Sequence, residues 1–447
     1  MIPVLGLVLI LASCGGLWAE TDVPLPGTLE ECLLLGFRHS RVLTASQLQA
    51  RSADSRLLEA RAQRLPGLTA SARYSRLSPV EPGSLTLPPP SSASIQLTPQ
   101  SDDSAFLALS LQQSLFAGFG VQAGIDQAEH LAAEARLNLL RAEQELRFEI
   151  QTAYWSLIRA LEVERVIKES IEQVNAHLRE VKDLFAQGLV TANDVLQVEM
   201  QLANTVLRRI EAGNTLSLAG ARLSLLLGLP YDTVLRPAPT PLHPLQEPES
   251  LEGLLKQALR SRPELAASAE RIHAQEKTMA VARSSFYPSL FLSAGLLTAR
   301  PNSRFFPPEN SFKTTWELGI GGSLEIGRWS ASARQVEQAR LQLAQGQEGL
   351  ALLEEGITLE VIQSFLELKK AREQVSVARL IVCQAEENHR VVREKFLSGL
   401  ALNSQLLDAE LSLLEAGLTL TQAGIDHELA WAALEKAVSV EPTRGQR

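Results

Sequence analysis

Residues 167–196 read IKESIEQVNAHLREVKDLFAQGLVTANDVL. Within them Ile167, Ile171, Val174, Leu178, Val181 and Phe185 recur at steps of 4, 3, 4, 3 and 4. That is the spacing of a coiled-coil seam. Upstream, from about Asp126 to Ala186, there is no Pro or Gly, so one helix of roughly 90 Å is predicted. Few compact domains need such a rod. Gly188 then supplies the left-handed residue that ends a helix. A return helix is predicted from about Thr191 to Leu227, where Val195, Leu196, Ala203, Val206 and Ile210 continue an apolar stripe. The stretch is therefore the far end of an antiparallel helical hairpin.

The same pattern occurs twice. Leu29, Glu30, Leu33, Phe37, Arg38, Leu43, Arg61, Pro66 and Leu68 match Leu251, Glu252, Leu255, Leu259, Arg260, Leu265, Arg283, Pro288 and Leu290 at an offset of 222. Tyr154, Phe185, Gly188, Leu189 and Leu196 match Phe365, Phe396, Gly399, Leu400 and Leu407 at an offset of 211. The second seam becomes Ala378, Val382, Ala385, His389, Val392 and Phe396. The change of offset falls in two Pro-rich segments near 77–105 and 299–313, which read as irregular loops. Each half thus runs helix, strand, loop, strand, long helix, sharp turn, helix, an internal duplication. The expected organisation is a signal segment 1–13, a tether 14–27, a first repeat 28–228, a Pro-rich linker 229–250, a second repeat 251–440 and a tail 441–447. The hairpins are expected at about 120–228 and 330–438.

Four segments alternate with period two, at about 67–77, 105–116, 289–299 and 313–325. Leu68, Ala70, Ala72 and Tyr74 interleave with Thr69, Ser71, Arg73 and Ser75. Leu107, Leu109 and Leu111, then Leu290, Leu292, Ala294 and Leu296, then Trp316, Leu318 and Ile320 mark the others. Such alternation over about ten residues fits a strand with lipid on one side and water on the other. Four strands cannot close a barrel, and open edges in hydrocarbon are prohibitive. Three chains would supply 12. The expected fold class is mainly α with a small β part: long antiparallel coiled-coil helices, and four strands per protomer in a 12-stranded trimeric transmembrane β-barrel.

The composition agrees. Aromatics are 5% and Met is rare, as long helices favour. The net charge of −9 leaves no basic footprint for nucleic acid. Pro3 to Ala12 is an apolar run too short to span a bilayer, as in an export signal. Leu11-Ala12-Ser13-Cys14 resembles a lipobox with Cys14 as the lipidated residue; cleavage near Ala19 is the alternative. Cys32 and Cys383 make no disulfide framework and read as packed thiols.

Taken together, the chain resembles the outer-membrane efflux protein (TolC-like) family. The resemblance rests on Phe185-Ala186-Gln187-Gly188-Leu189-Val190 with Asp194-Val195-Leu196, on Phe396-Leu397-Ser398-Gly399 with Leu406-Leu407-Asp408-Ala409, on Tyr154-Trp155, on Ser114 to Gly118 and on Leu227 to Pro230. It implies a homotrimer in the cell outer membrane whose long helices form an α-barrel spanning into the periplasm, and which docks a periplasmic adaptor and an inner-membrane pump, in tripartite efflux or type I secretion. Carried over, Gln187, Gly188, Leu189, Ser398, Gly399 and Leu400 would meet the adaptor; the two glycines could equally serve only to end helices. Asp408 matches an acid of the family's pore constriction. Gln405 stands where a second acid is expected. Asp194 matches an acid that ties neighbouring helices, and equally reads as a helix-start carboxylate.

Catalytic and metal chemistry are not foreseen, and no cofactor is implied. The His residues lack paired metal-ligand spacing, and no Gly-rich phosphate loop precedes a helix. His389 reads as a hydrogen-bonded packing residue. A rival reading is a periplasmic coiled-coil adaptor or scaffold lipoprotein without a pore, which would lack amphipathic strands. A lipid-anchored enzyme would need a cluster of catalytic polar residues, and none is found.

Overall fold

The computed structural model describes residues 26–78, 83–90, 94–96, 102–238, 243, 245, 250–306 and 309–439. The signal segment, Cys14 and most of its tether, and the tail 441–447 lie outside them. The chain begins with α1 (Leu29–His39) and α2 (Arg41–Ala62), followed by β1 (Gly67–Arg76). A ribbon of β2 (Ser84–Thr86) and β3 (Ser94–Gln96) leads to β4 (Asp103–Ala117). Next come α3 (Gly120–Ala186) and α4 (Ala192–Leu226). The order then recurs: α5 (Leu251–Ser261), α6 (Pro263–Ser284), β5 (Ser289–Arg300), β6 (Lys313–Ser323), α7 (Trp329–Leu397) and α8 (Asn403–Val438). The Pro-rich loop predicts no such ribbon. Its strands are three residues each and sit between the prolines, where no ladder donor is lost.

Helices α3 and α7 have 67 and 69 residues, each about 100 Å long. Each folds back on the helix after it, and α3 also packs against α8, so the two hairpins lie side by side. No helix among the described residues is long and apolar enough to cross a membrane.

The strands form one antiparallel sheet in the order β1-β4-β5-β6. Its register carries the alternation from strand to strand. Ala70 faces Leu109, Leu109 faces Leu296 and Leu296 faces Trp316; Leu68, Leu111, Ala294 and Leu318 make the next row. Directly opposed residues share a face, so these rows form one continuous apolar face. The other face carries Thr69, Ser110, Gly295 and Glu317, then Gly67, Gln112, Ser293 and Gly319. Trp316, Leu318 and Ile320 are all strongly exposed on this chain. Strands β1 and β6 each keep one unpaired edge among the described residues.

The largest core lies midway along α3. Ile150, Tyr154 and Trp155 pack there against α1, the end of α4 and Ile425 of α8. A capping box starts α1: Glu31 N–H donates to Thr28 Oγ1, while the Glu31 carboxylate accepts from Thr28 N–H. Gly36 of α1 lies so close to α3 that a Cβ there would sit 2.4 Å from Ile150 Cδ1. The offsets 222 and 211 map this pair onto Ala258 and Val361, both fully buried. Where the second half has the extra methyl of Ala258, it has Val361, which lacks the Ile Cδ1. Gly36→Ala should therefore destabilise by about 1–3 kcal/mol through overpacking, although Ala is the better helix former. Ile150→Val on that background should restore most of the loss, read as the unfolding temperature of both variants.

Two expectations are corrected here. The seam spacing predicts a buried Phe185, yet it is 48% exposed. Leu184 joins the tip cluster in its place. Cys383, expected as a packed thiol, is exposed on α7, whereas Cys32 is buried.

The linker is fastened to α8 at His243. His243 donates its backbone N–H to Glu428 Oε1 at 2.7 Å, and its Nδ1 lies 2.6 Å from Oε2. Its ring stacks on Trp431. The fully buried Glu428 carboxylate is thus satisfied by a residue outside the helices, as a buried charge requires.

Candidate functional site

Both hairpins end in the same local chemistry. In the first tip Gly188 N–H donates to Phe185 O and Leu189 N–H to Leu184 O. In the second Gly399 N–H donates to Phe396 O and Leu400 N–H to Lys395 O. These are Schellman closures, with φ of +72° at Gly188 and +68° at Gly399. Neither glycine would bring a Cβ within 4 Å of another atom. Ser398 Oγ donates to Glu394 O, and Gln187 caps α3 through its backbone N–H. The next residues project outward: Leu189 is 68% exposed and Leu400 78%. Exposed apolar side chains on otherwise closed turns are surfaces available to another chain.

The return helices start on caps, and this locates two of the three constriction candidates. Asp194 Oδ2 accepts from Thr191 N–H and Thr191 Oγ1 at 2.8 and 2.7 Å, and Thr191 Oγ1 accepts from Asp194 N–H. Gln405 Oε1 accepts from Leu402 N–H at 3.0 Å. The offset of 211 makes Asp194 and Gln405 the same position, the third of a return helix, and both serve its N-terminus. Asp408 lies three residues further along α8, exposed. Among the described residues its carboxylate has no hydrogen-bond or ion-pair partner.

The tips hold each other. Asn403, buried at the start of α8, donates Nδ2 to Asp194 O at 3.1 Å. Val181, Val198, Phe396 and Leu406 bury together beneath the tips, with Val190, Val195 and Ala401 around them. Just behind that cluster is a cavity of about 380 Å³, lined by residues that include Glu172, Glu180, His177, His389, Arg393 and Glu410. His389, expected to be hydrogen-bonded, faces this cavity with no hydrogen-bond partner among the described residues. Burial pushes its imidazole below the usual range, while nearby Glu410 pulls the other way.

With the tip geometry and the sheet in place, relatives can be compared. The sequence profile of the family described as Outer membrane efflux protein matches residues 38–229 and again residues 254–439. The chain belongs to the outer membrane efflux protein family. It is similar to the outer membrane efflux protein BepC of Brucella suis biovar 1, 22% identical over 412 residues, covering 92% of this chain and 85% of that protein. It is also similar to the alkaline protease secretion protein AprF of Pseudomonas aeruginosa, 26% identical over 350 residues, covering 74% of this chain and 69% of AprF. Among solved structures, the outer membrane protein VceC of Vibrio cholerae aligns with a TM-score of 0.77 at 18% identity, covering 92% of this chain and 95% of VceC. At that identity the likeness shows the fold.

For a member of this outer-membrane channel family, sequence reading finds the tips and misses what lies behind them. His177 is 3% exposed and Glu410 5%, and Nδ1 and Oε1 are 3.1 Å apart. Neither residue falls on a seam position. A polar pair split between two helices 233 residues apart has no spacing signature, and only the packing of α3 on α8 joins them.

Proposed function

We propose that this protein is the outer-membrane channel component of a tripartite efflux or type I secretion system. Three copies form a passive duct that receives substrate from an inner-membrane pump through a periplasmic adaptor and releases it outside. The observation that carries the reading is the continuous apolar face of the four registered strands, ending in two unpaired edges. In lipid that sheet is stable only when β6 of one copy pairs with β1 of the next. Twelve strands then close, apolar side outward and the Thr69, Ser110 and Glu317 side around water.

The helices support the same assembly. On α4, Leu196, Met200, Leu207, Leu218 and Leu225 stay exposed; on α7, Leu352, Leu359 and Leu366 do so at steps of seven. Stripes at heptad spacing call for helical partners, and neighbouring copies would provide them. Aromatic residues mark the two ends of the sheet. Phe119 meets Phe116 and Tyr287 edge-on at the helix end, and Phe305 and Phe312 lie under Lys313 and Arg300 at the other. Girdles of this kind sit at the membrane interfaces of barrels.

In this reading Gly188, Gly399 and their neighbours Gln187, Leu189, Ser398 and Leu400 receive the adaptor. Asp408 forms the acidic ring of the constriction, with Gln405 and Asp194 beside it. Cys14 carries the lipid anchor. The test is detergent extraction from outer membranes followed by light scattering and mass spectrometry. A particle of three chains, each with an acylated Cys14 at its N-terminus, is expected. A stable monomer would overturn the duct; an unmodified terminus beyond Cys14 would overturn the anchor alone.

A further inference from the structure

The pair behind the tips differs from its counterpart in the first hairpin. There Lys182 of α3 and Glu199 of α4 form an ordinary ion pair at 2.8 Å, half-exposed and internal to the hairpin. The offset of 211 maps them onto Arg393 and Glu410, so the second hairpin carries the same two charges at the same positions. It does not pair them. Arg393 reaches across to Glu180 of α3 at 2.8 Å, and Glu410 lies against His177 of α3. Two partners that could hold one hairpin together instead tie the two hairpins to each other.

The His177 contact is incompletely satisfied. Its Nδ1 is within ion-pair distance of Glu410 Oε1, but both ring nitrogens and Glu410 Oε2 are buried without an aligned hydrogen bond. The edge of Phe396 closes over the imidazole. All four groups, His177, Glu180, Arg393 and Glu410, line one cavity. The other charged or titratable groups that face it are Glu169 and Glu172 on α3 and His389 on α7; α8 adds Glu410 alone, and α4 adds none.

We propose that His177 and Glu410 form a proton-controlled latch between the two hairpins, with Arg393 as the exchange partner. When His177 carries a proton, it neutralises the buried Glu410 carboxylate, and Arg393 stays on Glu180; both links cross from hairpin to hairpin. When His177 is neutral, Glu410 is a buried anion without a counter-charge, a costly state. It then takes Arg393, restoring the pairing seen at Lys182 and Glu199, and both cross-links are lost together. Protonation favours the cross-linked arrangement and loss of the proton favours the pairing within one hairpin, so the hairpins hold together at lower pH and loosen as pH rises. His389, pushed down by burial, makes no link between the hairpins among the described residues and is not the trigger. In the duct reading, this latch regulates the constriction the tips form.

The test is the separation of the tips within the whole protein. Spin labels are placed at Leu189→Cys and Leu400→Cys on a Cys383→Ser background. Cys32 is buried, with its thiol pushed up to about 11, and does not label. Pulsed electron resonance should show the short intrachain distance growing by about 2 Å or more between pH 6 and pH 8. His177→Gln and Glu410→Gln should each remove that response, and His389→Gln should keep it. A pH-independent distance in the parent protein, or a response that survives in either latch variant, would overturn the proposal. The distance is read within one chain, so these outcomes stand apart from whether three copies assemble.

Discussion

Gly188→Trp and Gly399→Trp are each expected to reduce export about tenfold or more, with trimers still recovered in normal yield. The size follows from the cost of blocking the centre of a protein interface, where a single residue commonly carries 2 kcal/mol or more, about thirtyfold. Any L residue placed at φ near +70° also meets backbone strain of roughly 1–2 kcal/mol. That strain alone would make the variants less stable without touching docking. The space around each Cα separates the two effects. A Cβ added at either glycine would meet no atom within 4 Å beyond its chain neighbours, so the strain is a backbone effect common to every substitution, and a steric block to docking grows with side-chain size. Gly188→Asn and Gly399→Asn supply the control, because Asn accepts left-handed backbone and is small. They should end the helices normally and keep most export. If the Asn and Trp variants export alike, the glycines only terminate helices and the adaptor meets another surface.

How the chain reveals itself depends on the range over which each signal acts. Helix α3 is legible because its cause is local: residues 126–186 contain neither Pro nor Gly, and the seam repeats within one turn or two. The structure extends it back to Gly120, since an isolated Gly124 on a long packed helix costs only about 1 kcal/mol. The apolar alternation of β1, β4 and β6 is local too, and pairing then aligns the rows. Phe185 shows the limit. Its spacing is that of a seam residue, as is that of Phe396 at the other tip, yet only Phe396 is buried in the cluster between the tips, so period alone misplaces Phe185. Gln405 shows another. By the resemblance alone it reads as an acid gone missing; within its own helix it is the residue that accepts the Leu402 N–H. The latch of His177 and Glu410 is illegible in the sequence because neither residue is unusual until α3 and α8 are brought together.

Block of the duct by a multivalent cation should depend on Asp408 and little on the other two candidates. Asp194 is turned onto Thr191 and Gln405 onto Leu402 N–H, so both are occupied by their own helix ends. Asp408 is exposed, one turn further along α8, and its carboxylate has no partner among the described residues. Threefold assembly would set three such carboxylates around a single axis. Like charges so arranged repel one another and are relieved by a cation that bridges them. In planar bilayers, hexamminecobalt is therefore expected to close the wild-type channel at low concentration, and less effectively as salt rises, because exposed charges are screened. Asp408→Asn keeps the shape and removes three charges at once, so the blocking concentration should rise about tenfold or more, a change of about 1.4 kcal/mol in binding. Asp194→Asn should leave block nearly unchanged and weaken the α4 cap instead. Gln405→Asp is the positive counterpart: it puts a second ring of acids one turn from the first and should tighten block, because Leu402 offers that carboxylate only a backbone N–H. Were Asp408→Asn blocked as readily as the parent, the ring would have to be sought on another face of α8, and the tips would lose their claim to be the narrowest part of the duct.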